Sequence, residues 1–444
     1  MRLLLLGGET SSSAILMDAA IALGAEPRFE ASVDARTLGD GACAVLDLDG
    51  EIDDPAEQLA TLRSATRAGA ATIVVGSRLD VARVTDLFAA GASDVVQGPP
   101  HRRELMLRLS ALLNAKPRIA CLGGGTGLYT VLSGLREAPR VLLSSIVTMS
   151  DDGGSSGRLR ASFGVLPPGD VRRSLVALSD APEVMSYVMQ YRFTNGEGLT
   201  GHSLGNLLLT ALSELSGGMQ GAVKKLGDVL NVRGLVMCVT EHATTLCAEF
   251  EDGRVLRGES AIDLCLERPT GLRIQRVWQE PRAETSVDVV ASLLAADLIV
   301  IGPGDLYTSV LAGLIVDGVV DALRASRAKR LYVCNLMTKP GETEGYDVAD
   351  HLGALVNALG EDVLDYVLVS CTDLDPNAKA AYAAKGQWPV AASSPERLRE
   401  ITRAEIVSRD VGHQAQLVRH DSAKLRGEIL GFLKRSRSSS LPES

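Results

Sequence analysis

The sequence predicts a doubly wound α/β protein with parallel sheets, and three observations carry that expectation. Apolar runs of strand length alternate with amphipathic helical stretches along the chain. Glycine-rich turns repeatedly join the end of a strand to the start of a helix, and Lys116-Pro117 divides the pattern into two blocks.

In the first block, residues 1–115, strands are expected at Arg2–Leu6, Ala42–Leu46, Ala71–Val75 and Asp94–Gln97, with a closing helix near Arg102–Leu113. The second block, residues 118–432, continues with strands near Arg118–Leu122, Val141–Thr148, Leu235–Thr240, Asp297–Ile301, Arg330–Asn335 and Tyr366–Ser370. Between Glu249 and Glu259, the Asp252-Gly253 pair flanked by short polar-apolar alternations predicts an inserted β-hairpin. Residues 433–444, Ser-rich after Lys434-Arg435, read as a flexible tail.

Composition excludes several classes of function. Apolar residues make up 46% and charged residues 23%, as in a globular protein. The formal charge of −10 argues against a nucleic-acid binder, which needs a basic face. Met1–Leu6 is too short for a signal-peptide core, and no apolar run reaches the roughly 18 residues of a membrane span, so no membrane insertion is expected. The seven cysteines are scattered and form no CxxC pair, which fits buried reduced thiols in a cytoplasmic protein.

The motifs that carry chemistry gather at strand ends. Cys121–Gly127, CLGGGTG, follows a strand and opens a helix expected at Leu128–Arg136; Gly123, Gly124, Gly125, Thr126 and Gly127 can bring backbone amides to an anion. The spacing is neither the dinucleotide GxGxxG nor a Walker loop, which weakens a dehydrogenase reading. After the next strand, Asp151 and Asp152 can hold a hydrated Mg²⁺ or a sugar hydroxyl, while Ser155, Ser156 and Arg158 can meet phosphate oxygens. Asp170 in LPPGD reads first as a helix N-cap, and Arg172 and Arg173 are unusual cations for a first turn. His202 and Asn206 begin another helix, where His202 reads more readily as structural than as an acid or base. Gly302 and Gly304 in a Gly-Pro-Gly turn expose amides, Tyr307 offers a ring to a base, and Asn335 and Arg419 stand near later strand ends.

In order and spacing, GGGTG, SDDGGSSGRLR, LPPGD, YRF, GHSLGN, VRG, GPGDLYTS, NLMTKPGET and RHDSAKL resemble the gluconeogenesis-factor (YvcK/CofD-like) family from about Arg118 to Phe432. That resemblance implies a core shared with the 2-phospho-L-lactate transferases, which use Mg²⁺. It also implies UDP-sugar binding and a role in cell shape or envelope synthesis on gluconeogenic carbon. The implied ligand pocket uses Gly123 to Gly127, Asp151, Asp152, Ser155, Ser156, Arg158, Asp170, Asn206, Gly302, Gly304, Tyr307, Asn335 and Arg419, with Asp151 and Asp152 as the Mg²⁺ candidates.

Three departures from the family's pattern stand out. Asp305 replaces the usual serine, Ala312-Gly313 replaces Pro-Asn, and Lys339 stands where an uncharged polar or an acidic residue is usual. Asp305 is expected to cap the helix beginning at Leu306, the alternative being a cation, Lys339 or Mg²⁺, between it and the ligand.

The first block is similar to a response-regulator receiver domain, with Asp47 at the phosphoacceptor place and Ser77 after Ala71–Gly76, the strand in the receiver's fourth position. Gly7-Gly8 replace its paired acids and Gln97-Gly98 its lysine, so it reads as a degenerate receiver used for contact. The whole reads as a UDP-sugar-binding regulator without turnover, with a Mg²⁺-dependent transferase of 2-phospho-L-lactate transferase type as the alternative. It admits a homo-oligomer and a protein partner engaged through the first block.

Overall fold

Runs such as Leu3–Leu6 and Ile73–Val75 are covered on both faces, as strands of a parallel sheet must be. The structure, a computed structural model, describes residues 2–6, 11–30, 43–50, 54–138, 140–181, 183–264, 272–414 and 417–438. The first block forms a five-stranded parallel sheet from β1 (Arg2–Leu6), β2 (Glu26–Glu30), β3 (Cys43–Asp47), β4 (Ala71–Gly76) and β5 (Asp94–Gln97), in the order β2-β1-β3-β4-β5. This is the flavodoxin-like order, which receiver domains also use. The unanticipated β2 reads EPRFE, a polar sequence that an edge strand tolerates.

The second block supplies β6 (Arg118–Gly123), β7 (Leu142–Val147) and β8 (Leu235–Cys238), then an antiparallel module of β9 (Thr245–Phe250), β10 (Val255–Arg257) and β11 (Ile274–Glu280). It then returns with β12 (Leu298–Ile301), β13 (Lys329–Val333), β14 (Tyr366–Ser370) and β15 (Glu405–Arg409), followed by the small ribbon of β16 (Gly412–Gln414) and β17 (Val418–His420). The main sheet is seven-stranded and parallel, in the order β15-β14-β13-β12-β6-β7-β8. From β6 the chain winds outward through β7 and β8, then restarts beside β6 at β12. The topological switch point therefore lies between β6 and β12, where an open α/β sheet leaves a crevice at its carboxyl edge.

The expected hairpin is β9–β10, closed by Phe250 N–H donating to Arg254 O at 2.9 Å. β11 makes it a three-stranded sheet, order β10-β9-β11. The expected tail is corrected. Helix Ser422–Ser438 runs through its first half with Leu433 and Ser436 buried, while residues 439–444 lie outside the described residues.

The two blocks share an interface. Helix Val81–Ala89 and β5 pack on helix Val287–Leu294, and one continuous apolar cluster joins both sheets. At its edge the fully buried Arg108 pairs with Asp94 at 2.6 Å and Glu104 at 2.9 Å, and Lys224 bridges Glu104 at 3.0 Å and Asp288 at 3.2 Å. Burial works to raise Glu104, yet Arg108 and Lys224 hold it below its ordinary range.

Cys43, Cys121, Cys238, Cys247 and Cys334 are buried and unbridged, whereas Cys371 is exposed, against expectation; Cys265 lies outside the described residues. Among the described residues no helix is long and apolar enough to cross a membrane.

Candidate functional site

β6 ends on Gly123 and helix Gly125–Arg136 starts at once, earlier than the expected Leu128, so the glycines themselves form the first turn. Two of them are required by close approach. A Cβ on Gly124 would lie 2.6 Å from Asp170 Oδ2, and one on Gly127 only 2.1 Å from the Pro303 carbonyl oxygen. The turn after β6 is thus fitted directly against the Gly-Pro-Gly turn after β12, across the switch point.

Asp170 is not the N-cap. It lies in the first turn of helix Pro168–Ala177, behind Pro167, and its Oδ2 accepts the Gly125 N–H at 2.7 Å. Burial raises its pKa; Arg173, at 3.3 Å from Oδ1, opposes that and Asp151 adds to it. Arg172 is buried and donates to Asn206 Oδ1 at 2.9 Å, and burial with repulsion from Arg173 and Arg192 lowers it to about 10. The unusual first-turn cations therefore have protein partners.

The acidic-serine loop divides. Asp151 faces the cleft and accepts the Gly153 N–H at 3.0 Å. Asp152 is not part of the cleft wall; its Oδ1 accepts the Ser260 N–H at 2.7 Å, so the expected Mg²⁺ pair is not brought together in the cleft. Ser155 Oγ lies buried, 2.9 Å from His202 Nδ1, and accepts from Asn206 Nδ2 at 3.1 Å; Ser156 is buried too, its Oγ beneath Gly169. Burial, Arg158 and Arg192 keep His202 below its ordinary pKa. Arg158 is exposed and donates to Thr200 O at 2.9 Å, away from the cleft wall.

The Gly-Pro-Gly turn also departs from expectation. The Gly302 N–H donates to Leu122 O at 2.9 Å and the Gly304 N–H to Asn335 Oδ1 at 3.3 Å, so neither amide is free. Asp305 makes no capping hydrogen bond to the π-helical turn Leu306–Leu311. It pairs with Lys339 at 2.5 Å, so the cation alternative replaces the cap. Tyr307 offers no ring to the cleft. It is buried, bonded to Ile274 O at 3.2 Å and Tyr346 Oη at 2.9 Å, and lines a separate cavity of about 470 Å³ with Arg273 and Tyr346.

The cleft has two connected lobes that share Thr126, Gly127, Gly304 and Asp305. The lobe of about 270 Å³ is acidic, walled by Asp151, Asp170, Glu259, Arg173 and Ser309. The lobe of about 380 Å³ is basic, with Lys385, Arg419 and Lys339, and with Thr130, Asn335 and Tyr382 beside them. Among the described residues Lys385 and Arg419 make no ion pair, so their charge is available to an anion. Glu259 and Lys385 escaped the sequence reading because one sits on the inserted module and the other in helix-rich sequence without a motif. Arg173 had a signal in its misplaced charge.

The sequence matches the family "2-phospho-L-lactate transferase CofD" over residues 119–411. Similar curated proteins carry the name gluconeogenesis factor. The one from Bacillus subtilis is 41% identical over 323 residues, covering 72% of this chain and 100% of its own. The one from Halalkalibacterium halodurans is 40% identical over 325 residues, covering 73% of this chain and 99% of its own. A crystal structure of a UPF0052-family protein from Bacillus halodurans superposes with a TM-score of 0.67 at 39% identity, covering 71% of this chain and 100% of that one.

Proposed function

The chain belongs to the CofD family, with curated relatives that are gluconeogenesis factors, and we propose that it is a cytoplasmic regulatory protein that binds a UDP-sugar in the cleft between β6 and β12. In this reading it acts on cell shape and envelope synthesis during growth on gluconeogenic carbon. The observation that carries it is the division of one cleft into a basic lobe and an acidic lobe across two fitted glycine turns. Unpaired cations suit a diphosphate, and carboxylates suit the hydroxyls of a sugar.

Mg²⁺ fits the acidic lobe by donor chemistry. Asp151 and Asp170 present carboxylate oxygens, which this hard cation requires, and burial with Asp151 nearby leaves Asp170 wanting positive charge. Bound there, Mg²⁺ would offset the carboxylate charge of that lobe and offer a hard cation to the hydroxyl oxygens of the sugar.

The test is a thermal-shift panel of UDP-sugars, NAD and deazaflavin precursors, with and without Mg²⁺. A ligand at a hundredfold its Kd stabilises the fold by about 2.7 kcal/mol, a readily seen shift. UDP-sugars should shift the transition and NAD should not. The alternative, a Mg²⁺-dependent transferase, is favoured by the same juxtaposition of acidic and basic lobes, since phosphoryl-type chemistry rests on positioning and charge neutralisation. Product formed over many turnovers would establish it, and stoichiometric binding without product would support the regulator.

A further inference from the structure

We infer that Glu259 reads the sugar end of the ligand and that Lys339, through a clamp of carboxylates, is the positioning residue that holds Glu259 in place. The inference rests on the nucleotide-sugar reading and assigns the two ends of the ligand to the two lobes.

Glu259 opens the short helix Glu259–Leu264 of the inserted module and so reaches the cleft from outside the parallel sheet. It lines the acidic lobe opposite Gly124 and Ser309. Though half-buried, it makes no hydrogen bond or ion pair among the described residues. A polar group partly withdrawn from water and left without a partner costs stability, and such groups recur where a ligand supplies the missing bond.

Its helix is fixed at two points. The Ser260 N–H donates to Asp152 Oδ1 at 2.7 Å. Further along, Asp263 forms an ion pair with Lys339 Nζ, which also lies 2.5 Å from Asp305 and 3.3 Å from Glu342. Glu342 is fully buried and is itself held by the N–H groups of Tyr307 at 3.0 Å and Thr308 at 3.3 Å. One ammonium thus ties the inserted module, the Gly-Pro-Gly turn and the loop after β13 together.

Orientation follows from charge. A diphosphate is drawn to Lys385 and Arg419, which have no carboxylate partner among the described residues, and is repelled by the acidic lobe. A pyranose attached to it then passes Thr126 and Gly127 into the acidic lobe, where Glu259 is the carboxyl group with no bond to give up among the described residues.

The experiment is calorimetric titration of the full-length chain with UDP and with UDP-N-acetylglucosamine, each in Mg²⁺. Glu259→Gln should weaken the sugar nucleotide about tenfold, the loss of about 1.4 kcal/mol, and change UDP by less than about twofold. Lys339→Met should reproduce that selective loss, Lys339→Arg should restore it, and Asp263→Asn serves if Lys339→Met does not fold. Equal weakening of both ligands would make Glu259 a metal or phosphate residue and overturn the proposal, as would no change in either. If the wild-type chain binds neither ligand, the nucleotide-sugar reading falls first and the proposal with it. If it binds both and the variants discriminate nothing, only the proposal falls.

Discussion

The two sheets of this protein are wound by the same rule, yet they differ in what stands at their switch points. In the first, described loop residues near Asp47 hydrogen-bond to one another. Asp49 accepts both the N–H, at 2.9 Å, and the hydroxyl of Ser77, at 2.8 Å, and Gln97 donates to Ser77 O at 2.8 Å. Gly7 and Gly8 lie outside the described residues. In the second sheet, the turns after β6 and β12 leave a cleft whose wall carries Glu259, Lys385 and Arg419, which have no ion-pair partner among the described residues. A shared winding rule therefore places a crevice, but unsatisfied groups around it are what make a ligand site.

The largest test of that contrast is steric. Gly127→Ala drives a Cβ into the Pro303 carbonyl and should cost about 1–3 kcal/mol of stability, with loss of binding because the two turns must separate. A melting curve with and without UDP-N-acetylglucosamine reads both effects, and an unshifted transition with intact binding would remove the fitted turns as the basis of the cleft. Gly76→Ala, whose Cβ would meet only side-chain atoms of Leu48 and Leu79 at 3.3–3.4 Å, is the matching change in the first sheet and should leave binding intact.

Charge removal comes next. Arg419→Met should weaken UDP and UDP-N-acetylglucosamine alike, by about ten- to a hundredfold, as for a charge-assisted bond of roughly 1.5–3 kcal/mol. Loss confined to the sugar nucleotide would reverse the assignment of the lobes.

A smaller effect should appear in the pH profile. Burial, with Asp151, Asp263 and Asp152 near it and Lys339 only partly opposing them, pushes the Glu259 carboxyl up to about 8, well above its ordinary range. The folded state then holds a proton that the unfolded state has released, so the contribution of this group to stability falls as pH rises from about 4.5 to 8. The melting temperature of Glu259→Gln should exceed that of the wild type more at pH 8 than at pH 5. A difference that does not change with pH would mean that Glu259 ionises normally.

Smallest of all, Arg158→Ala should leave affinity within about twofold, because its guanidinium is spent on Thr200 O rather than on the cleft. Calorimetry showing a tenfold loss would put Arg158 back into the site.

Most of the fold was legible because parallel strands buried on both faces are apolar throughout; Arg118–Gly123 and Tyr366–Ser370 lie where their sequences place them, within a residue. β2, β11 and β15 were missed because EPRFE, IQRVWQE and EIVSR carry the polar residues of partly exposed strands. The glycine turns of the site were equally legible, since few uses other than close approach explain so many glycines in succession. Side-chain direction was not. Asp151 and Asp152 are adjacent, yet one faces the cleft and the other holds Ser260, a difference set by a helix over a hundred positions away, since Ser260 and Asp152 are 108 residues apart. Tyr307 and Asp305 misled for the same reason, their partners Tyr346 and Lys339 being 39 and 34 residues downstream.

The ion cluster at the block interface has a consequence for the order in which the protein is made. Glu104, with Asp94 and Arg108, belongs to the part of the chain that is synthesised first, whereas Lys224 and Asp288 emerge later. At the usual 5–20 residues per second, Glu104 waits on the order of ten seconds for its lysine. During that interval Arg108 and Arg118, the latter 3.2 Å from Asp94, must balance Asp94 and Glu104, and the face later covered by helix Val287–Leu294 stays open to water. The first sheet is thus born with a vacancy for its own downstream sequence, and arrival of Lys224 marks the moment at which the nascent chain can begin to close it.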